Sequence, residues 1–153
     1  MGDRDDEDEY TAITRELGMF LRRATRLHDR RADPQGHVLD RAAFLLLARI
    51  VTGGPSRPST LAVEMGIDLS VASRQVAALE SMGLVRRTVD PADRRASLIA
   101  VTGQGEELFR QKRTAFISLL RGLLADWTPE ERATFAAMLG RFNAAFAAYD
   151  EGK

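Results

Sequence analysis

The chain has 153 residues, 44% hydrophobic and 29% charged, enough for one domain with its own core and too balanced for general disorder. It has no cysteine, which excludes disulfides, thiol redox sensing and zinc sites that need sulfur, and no apolar run approaches the roughly 18 residues of a membrane span. The formal charge of zero joins unlike parts: Asp3, Asp5, Asp6, Glu7, Asp8 and Glu9 face only Arg4 at the start, leaving 21 basic against 16 acidic residues beyond residue 9. An acidic start, where a secretory signal would be basic and then apolar, makes the cytoplasm the expected compartment.

Residues 1–9 hold like charge and nothing apolar to bury, so they are expected to be a disordered acidic tail. From Tyr10 the pattern turns helical: Ile13, Leu17, Phe20, Leu21, Ala24 and Leu27 recur at spacings of three and four, fading near Arg31 before Pro34 and Gly36. A second helix is expected over 38–51, where Phe44, Leu45, Leu46, Leu47 and Ile50 make it apolar on most sides and hence buried. Gly53, Gly54 and Pro55 end it, and a short helix opens at Pro58 and closes at Gly66 with Leu61, Ala62 and Met65 inward.

The next helix, over 70–82, turns Leu69, Ala72, Val76 and Leu79 to the core, with Asp68 or Ser70 as its cap and Gly83 as its stop. Residues 84–89 and 96–101 read as two strands joined by a turn containing Pro91. Thr102 and the two glycines around Gln104 break the strand, and a long helix follows over 106–125. Thr128-Pro129-Glu130-Glu131 is a capping box, with Thr at the N-cap, Pro at N1 and Glu at N3. The final helix carries an apolar stripe of Phe135, Met138, Leu139, Phe142, Phe146 and Tyr149, which fits either an intrachain core or a seam with a second chain.

A short helix, a tight turn into a second helix, and a hairpin with an arginine-rich tip follow one another without a gap. That order presents a helix to a DNA major groove while the hairpin reaches the neighbouring minor groove or backbone. Ser70, Ser73, Arg74 and Ala77 lie at i, i+3, i+4 and i+7, on the face opposite the core positions. Arg74 suits a bidentate bond to guanine, the serines suit bases or phosphates, and Ala77 suits a thymine methyl. Arg57, at the start of the short helix, and Arg86 and Arg87, in the first strand, are further phosphate candidates; alternation sends the last two to opposite faces, so one of them points at DNA.

The stretch over 61–102 resembles the MarR family of bacterial regulators in its helix-turn-helix and wing, and the segment DPADRR, residues 90–95, is the most specific part. The resemblance implies a winged helix-turn-helix fold, mainly α with a small β-hairpin. In that family the hairpin tip carries a D-x-R arrangement, matched here by Asp93 and Arg95 with Arg94 between them. Arg95 is expected in the minor groove, and Asp93 is expected to brace the arginines, since phosphate repels a bare carboxylate. A weaker resemblance over residues 10–149 implies that 10–36 and 102–149 form dimerisation helices around a DNA-binding lobe at 37–101.

The implied function is a sequence-specific, ligand-responsive repressor that binds double-stranded DNA at a palindromic operator as a homodimer; a helical dimeric adaptor that binds proteins without DNA is the alternative. A small organic effector is implied between the dimer helices and the lobe, with no residue assigned to it. No cofactor or metal is expected: His28 and His37 flank a loop with Asp29, Asp33 and Asp40 nearby, a pattern more typical of surface or capping residues. No enzymatic activity is expected either, because no nucleophile, base and orienting group stand at usable spacing.

Overall fold

A computed structural model describes the backbone of residues 2–29 and 39–151, and the side chains of residues 7–26 and 39–149. The elements in chain order are α1 (Gly2–Asp29), α2 (Arg41–Gly53), α3 (Pro58–Glu64), α4 (Leu69–Ser81), β1 (Val85–Val89), β2 (Ser97–Val101), α5 (Gly103–Leu123) and α6 (Pro129–Glu151). This is the expected mainly α architecture with a β-hairpin. The loop around Pro34, Gly36 and His37, and the fading of the first helix near Arg31, lie outside the described residues, as does the His28 side chain. Helix α1 begins at Gly2 and takes in the acidic stretch for which the sequence predicted a disordered tail.

Two compact units divide the chain, Met1–Arg110 and Gln111–Lys153. The division falls inside α5, beyond residue 101, because the first turns of α5 are part of the first unit's core. Leu108 is buried there, and Phe109 stacks on Phe44 of α2 with ring centroids 6.2 Å apart.

In the first unit, the Asp40 carboxylate caps α2 by accepting from the Ala43 N–H at 2.7 Å, and Gly54, at φ 80°, terminates it. Ala43, Leu46, Leu47 and Ile50 are buried at helical spacing, whereas Leu45 is 47% exposed. The expectation of burial on most sides is thus corrected: α2 buries one broad face, and Leu45 falls outside it. Helices α3 and α4 both end in the same way. The Gly66 and Gly83 backbones have positive φ, and the next residues, Ile67 and Leu84, donate back to Ala62 and Leu79 at 3.0 and 2.9 Å. The first of these turns swings the chain directly into α4.

Helix α4 buries Ala72, Val76 and Leu79, but Leu69 is 52% exposed, contrary to expectation. Leu69 is the first residue of the helix, so its apolar stripe runs past the packed part. Asp68 holds the N-cap position without a capping bond from its side chain. Strands β1 and β2 pair antiparallel in the register Val85↔Val101 to Val89↔Ser97. Ser56, between α2 and α3, adds a bridge on the other edge of β2: its N–H donates to the Ile99 carbonyl at 3.2 Å and its carbonyl accepts from the Ile99 N–H at 2.9 Å. Leu46, Leu47, Ile50, Leu61, Val76, Leu79 and Ile99 are essentially inaccessible to solvent, each contributing about 1.5–3 kcal/mol of burial.

In the second unit, the capping box forms as expected. Thr128 Oγ1 accepts from the Glu131 N–H at 3.2 Å, and Glu131 Oε2 accepts from the Thr128 N–H at 2.7 Å. Trp127 meets Phe135 edge-on with ring centroids 5.4 Å apart. Within this unit the stripe from Phe135 to Tyr149 is exposed throughout.

The joint after β2 differs from its expected form. Thr102 caps α5 through Oγ1, which accepts from the Gly105 N–H at 3.1 Å, so the helix starts at Gly103 and not at 106. Gly105 is required by close approach: a Cβ there would lie 2.1 Å from the Leu84 carbonyl oxygen, whereas one on Gly103 would meet nothing within 4 Å. Gly105→Ala is therefore expected to cost about 1–3 kcal/mol of overpacking, and Gly103→Ala to be neutral or stabilising by up to about 1 kcal/mol. Urea denaturation of the two variants checks the contrast.

Candidate nucleic-acid interface

Ser70, Ser73, Arg74 and Ala77 are all exposed on α4, on the side away from Ala72, Val76 and Leu79. Arg74 has no ion-pair partner among the described residues. The helix is secured at its middle and near its C-terminal end. Gln75 Nε2 donates to the Asp40 carboxylate at 3.5 Å, and Glu80 accepts from Arg87 Nε of β1 at 3.1 Å. The backing is thus apolar and ion-paired, and the outer face is small, polar and singly cationic, a shape on which a helix backbone can approach base edges closely.

The wing tip is built by its two aspartates. Asp90 Oδ1 accepts from the Ala92 N–H at 2.8 Å, and Asp93 Oδ1 accepts from the Arg95 N–H at 3.0 Å. Each carboxylate captures the amide two residues on, the local bond that makes aspartate a turn former. Backbone bonds from Asp93 N–H to the Asp90 carbonyl and from Ala96 N–H to the Asp93 carbonyl close the loop, at 3.3 and 2.9 Å. Residues 91–95 are exposed, and the Arg94 and Arg95 side chains project with no ion-pair partner among the described residues.

Arg57 and the strand arginines are placed differently from one another. Arg57 is bound to Asp90, with Nε 2.7 Å and Nη2 2.6 Å from Oδ2, and its Nη2 lies 4.0 Å from Asp93 Oδ2. Arg86 and Arg87 are both exposed, and Arg87 is engaged by Glu80, which leaves Arg86 as the strand cation without an ion pair among the described residues. Sequence reasoning gave Asp90 no role of its own. The available signal was its spacing of three from Asp93 beside Pro91, which fits consecutive aspartate turns; its pairing with an arginine 33 residues earlier has no local signature.

The MarR family model matches residues 39–97, the span from α2 to the start of β2. YxaD of Bacillus subtilis (strain 168), described as an uncharacterized HTH-type transcriptional regulator, is 37% identical over 134 residues, covering 88% of this chain and 92% of that protein. The chain belongs to the MarR family. Among solved structures, a mutant MarR from E. coli complexed with operator DNA is 25% identical with a TM-score of 0.66, covering 88% of this chain and 95% of that one. A MarR family protein from Bacillus stearothermophilus, 19% identical, superposes with a TM-score of 0.75 over 91% and 94% of the two chains and supports the shared fold.

As a MarR-family protein the chain is a transcriptional regulator with the expected winged helix-turn-helix, and the adaptor alternative finds no support. No helix among the described residues is long and apolar enough to cross a membrane. In the MarR wing the Asp90 carboxyl is shifted from its ordinary value. The Ala92 N–H, then the Arg57 guanidinium, hold the Asp90 carboxyl below its ordinary value, against the opposing effect of burial. A carboxyl lowered on folding adds stability that is complete above its unfolded value of about 3.9 and is lost as pH falls through the folded value. Asp90→Asn is therefore expected to show a shallower decline in Tm than the parent as pH falls below about 4. Parallel thermal-melt profiles would contradict this.

Proposed function

We propose that the chain is a cytoplasmic repressor that binds a palindromic operator as a homodimer and releases it when a small organic effector binds. The lobe of residues 37–101 lays α4 in a major groove, where Arg74 reads guanine while Ser70, Ser73 and Ala77 touch neighbouring bases or phosphates. Arg95 enters the adjoining minor groove, and Arg94 and Arg86 meet phosphates. The observation that carries this reading is the presence on one lobe of an exposed small-polar helix face and a hydrogen-bonded turn that carries exposed arginines without ion pairs among the described residues.

The segments 10–36 and 102–149 supply the dimer contacts. Tyr10, Phe20 and Leu21 on α1, and Met138, Phe146 and Tyr149 on α6, are each more than half exposed in the single chain. Apolar stripes of this extent are ordinarily covered by a partner. Two lobes related by a two-fold then meet half-sites about one helical turn apart. Effector binding shifts the equilibrium only to the degree that it prefers the spacing of lobes that cannot reach both half-sites.

Gel shift against the protein's own upstream region tests the reading surface. Arg74→Ala and Arg95→Ala are each expected to weaken specific binding by about 1–3 kcal/mol, and the double variant to abolish discrimination from unrelated duplex. Affinity of the parent should fall about 10³- to 10⁵-fold between 50 and 200 mM salt if some 6–10 phosphates are contacted. A flat salt response would contradict duplex binding. Met138→Glu, which places a charge in the α6 stripe, is expected to shift the species seen by light scattering from dimer to monomer and to weaken operator binding with it.

A further inference from the structure

The wing tip has little packing to hold it. Beyond the strand pair Val89↔Ser97, residues 91–95 are exposed, and what shapes them is a set of turn hydrogen bonds from Asp90 and Asp93. Those bonds fix the loop's internal form but not its attachment to the rest of the lobe. Asp90 supplies that attachment: it is 6% exposed, one carboxylate oxygen serves the turn, and the other accepts both Nε and Nη2 of Arg57. Arg57 is itself anchored, because it is the N-cap residue of α3 and follows Ser56, which is bridged through its backbone to Ile99 of β2.

We propose that Arg57 is not a phosphate contact but a positioning residue, which with Asp90 forms a brace that aims the wing tip so that Arg95 can enter the minor groove. The inference rests on the DNA-reading function above and reassigns a residue that the sequence marks as a phosphate candidate. Two physical arguments favour it. Both donors that Arg57 could offer to phosphate on its Asp90 side are committed to a single carboxylate oxygen at 2.6 and 2.7 Å, a charge-assisted geometry that a mobile contact residue would not keep. The brace also neutralises the acidic side of the tip, since the same guanidinium lies 4.0 Å from Asp93, so that the loop approaches polyanionic DNA carrying the charge of Arg94 and Arg95.

The two roles give opposite signs on removal of Asp90. If Arg57 served a phosphate, Asp90→Asn would release it and delete a negative charge near DNA, so binding would tighten. If Arg57 and Asp90 form a brace, binding weakens, and the loss is routed through the wing. The test uses the full chain and a duplex enriched from a random-sequence pool by the wild-type protein, with affinities read by fluorescence anisotropy at fixed salt. Absence of any enriched duplex would remove the DNA-reading function itself, and the inference with it, before any variant is made.

With such a duplex, Asp90→Asn is expected to bind about tenfold more weakly, comparable to loss of one base contact. Arg95→Ala should then cost little further in the Asp90→Asn background, whereas Arg74→Ala, on α4 and outside the wing, should keep its full effect there. A protein that was merely destabilised would blunt both effects alike. Arg57→Gln, made in the more exposed partner of the pair, repeats the test independently of how well Asp90→Asn folds, and should give the same loss and the same absorption of Arg95→Ala. Tighter or unchanged binding by Asp90→Asn and Arg57→Gln, or an Arg95→Ala effect that multiplies with theirs, would overturn the brace.

Discussion

Ile99 joins three parts of the lobe that would otherwise be independent. Its side chain is fully buried among residues of α2, α3 and α4, its backbone pairs with Arg87 across the hairpin, and its other edge is bonded in both directions to Ser56. The loop leading into α3, the wing and the core therefore share one residue. A two-stranded hairpin is marginal by itself in water, and here the missing support comes from a core side chain and a third backbone segment. The geometry of the proposed reading surface follows from that junction, since α4 and the hairpin are both referenced to the same packed centre.

Charge is distributed in a complementary manner. Three cations of the lobe are matched: Arg57 with Asp90, Arg87 with Glu80, and Arg49 with Glu64 at 2.6 Å. Arg74, Arg86, Arg94 and Arg95 are exposed and unmatched among the described residues. Isolated surface ion pairs contribute little stability as a rule, so their value here is better sought in geometry. They hold neighbouring elements in register and cancel the acidic charge that would otherwise accompany the arginines to a phosphate backbone.

Much of this architecture could be read from the chain, because the signals were local. The glycines that end α3 and α4, the Thr128 capping box and the spacing of Ala72, Val76 and Leu79 each act within a few residues, and periodicity carries them into the sequence. The misses involve what lies beyond that range. Leu45 and Leu69 have the right residue type for burial, but exposure depends on whether another element happens to cover them. Gly105 looked like a strand breaker, yet it is needed because a backbone 21 residues earlier passes within a Cβ radius. The partner of Asp90 is 33 residues away, and arginine at position 57 reads from sequence as one more cation.

The exposed stripes tie the reading surface to assembly. A single lobe offers one α4 face and one tip, and one such set makes too few contacts for discrimination against the large excess of non-specific duplex. In the proposed homodimer, doubling the set through a two-fold multiplies the contacts only if the second lobe is held at the right span, so the apolar residues of α1 and α6 would bear on DNA affinity through assembly. The proposed homodimer would thus separate two tasks: local polar bonds around Asp90 and Asp93 fix the pitch of one half, and non-directional apolar burial sets the distance between halves. Directional bonds suit the first task because a groove tolerates little angular error. A packed apolar seam suits the second because it can settle in more than one arrangement, which is the property an effector-controlled switch requires.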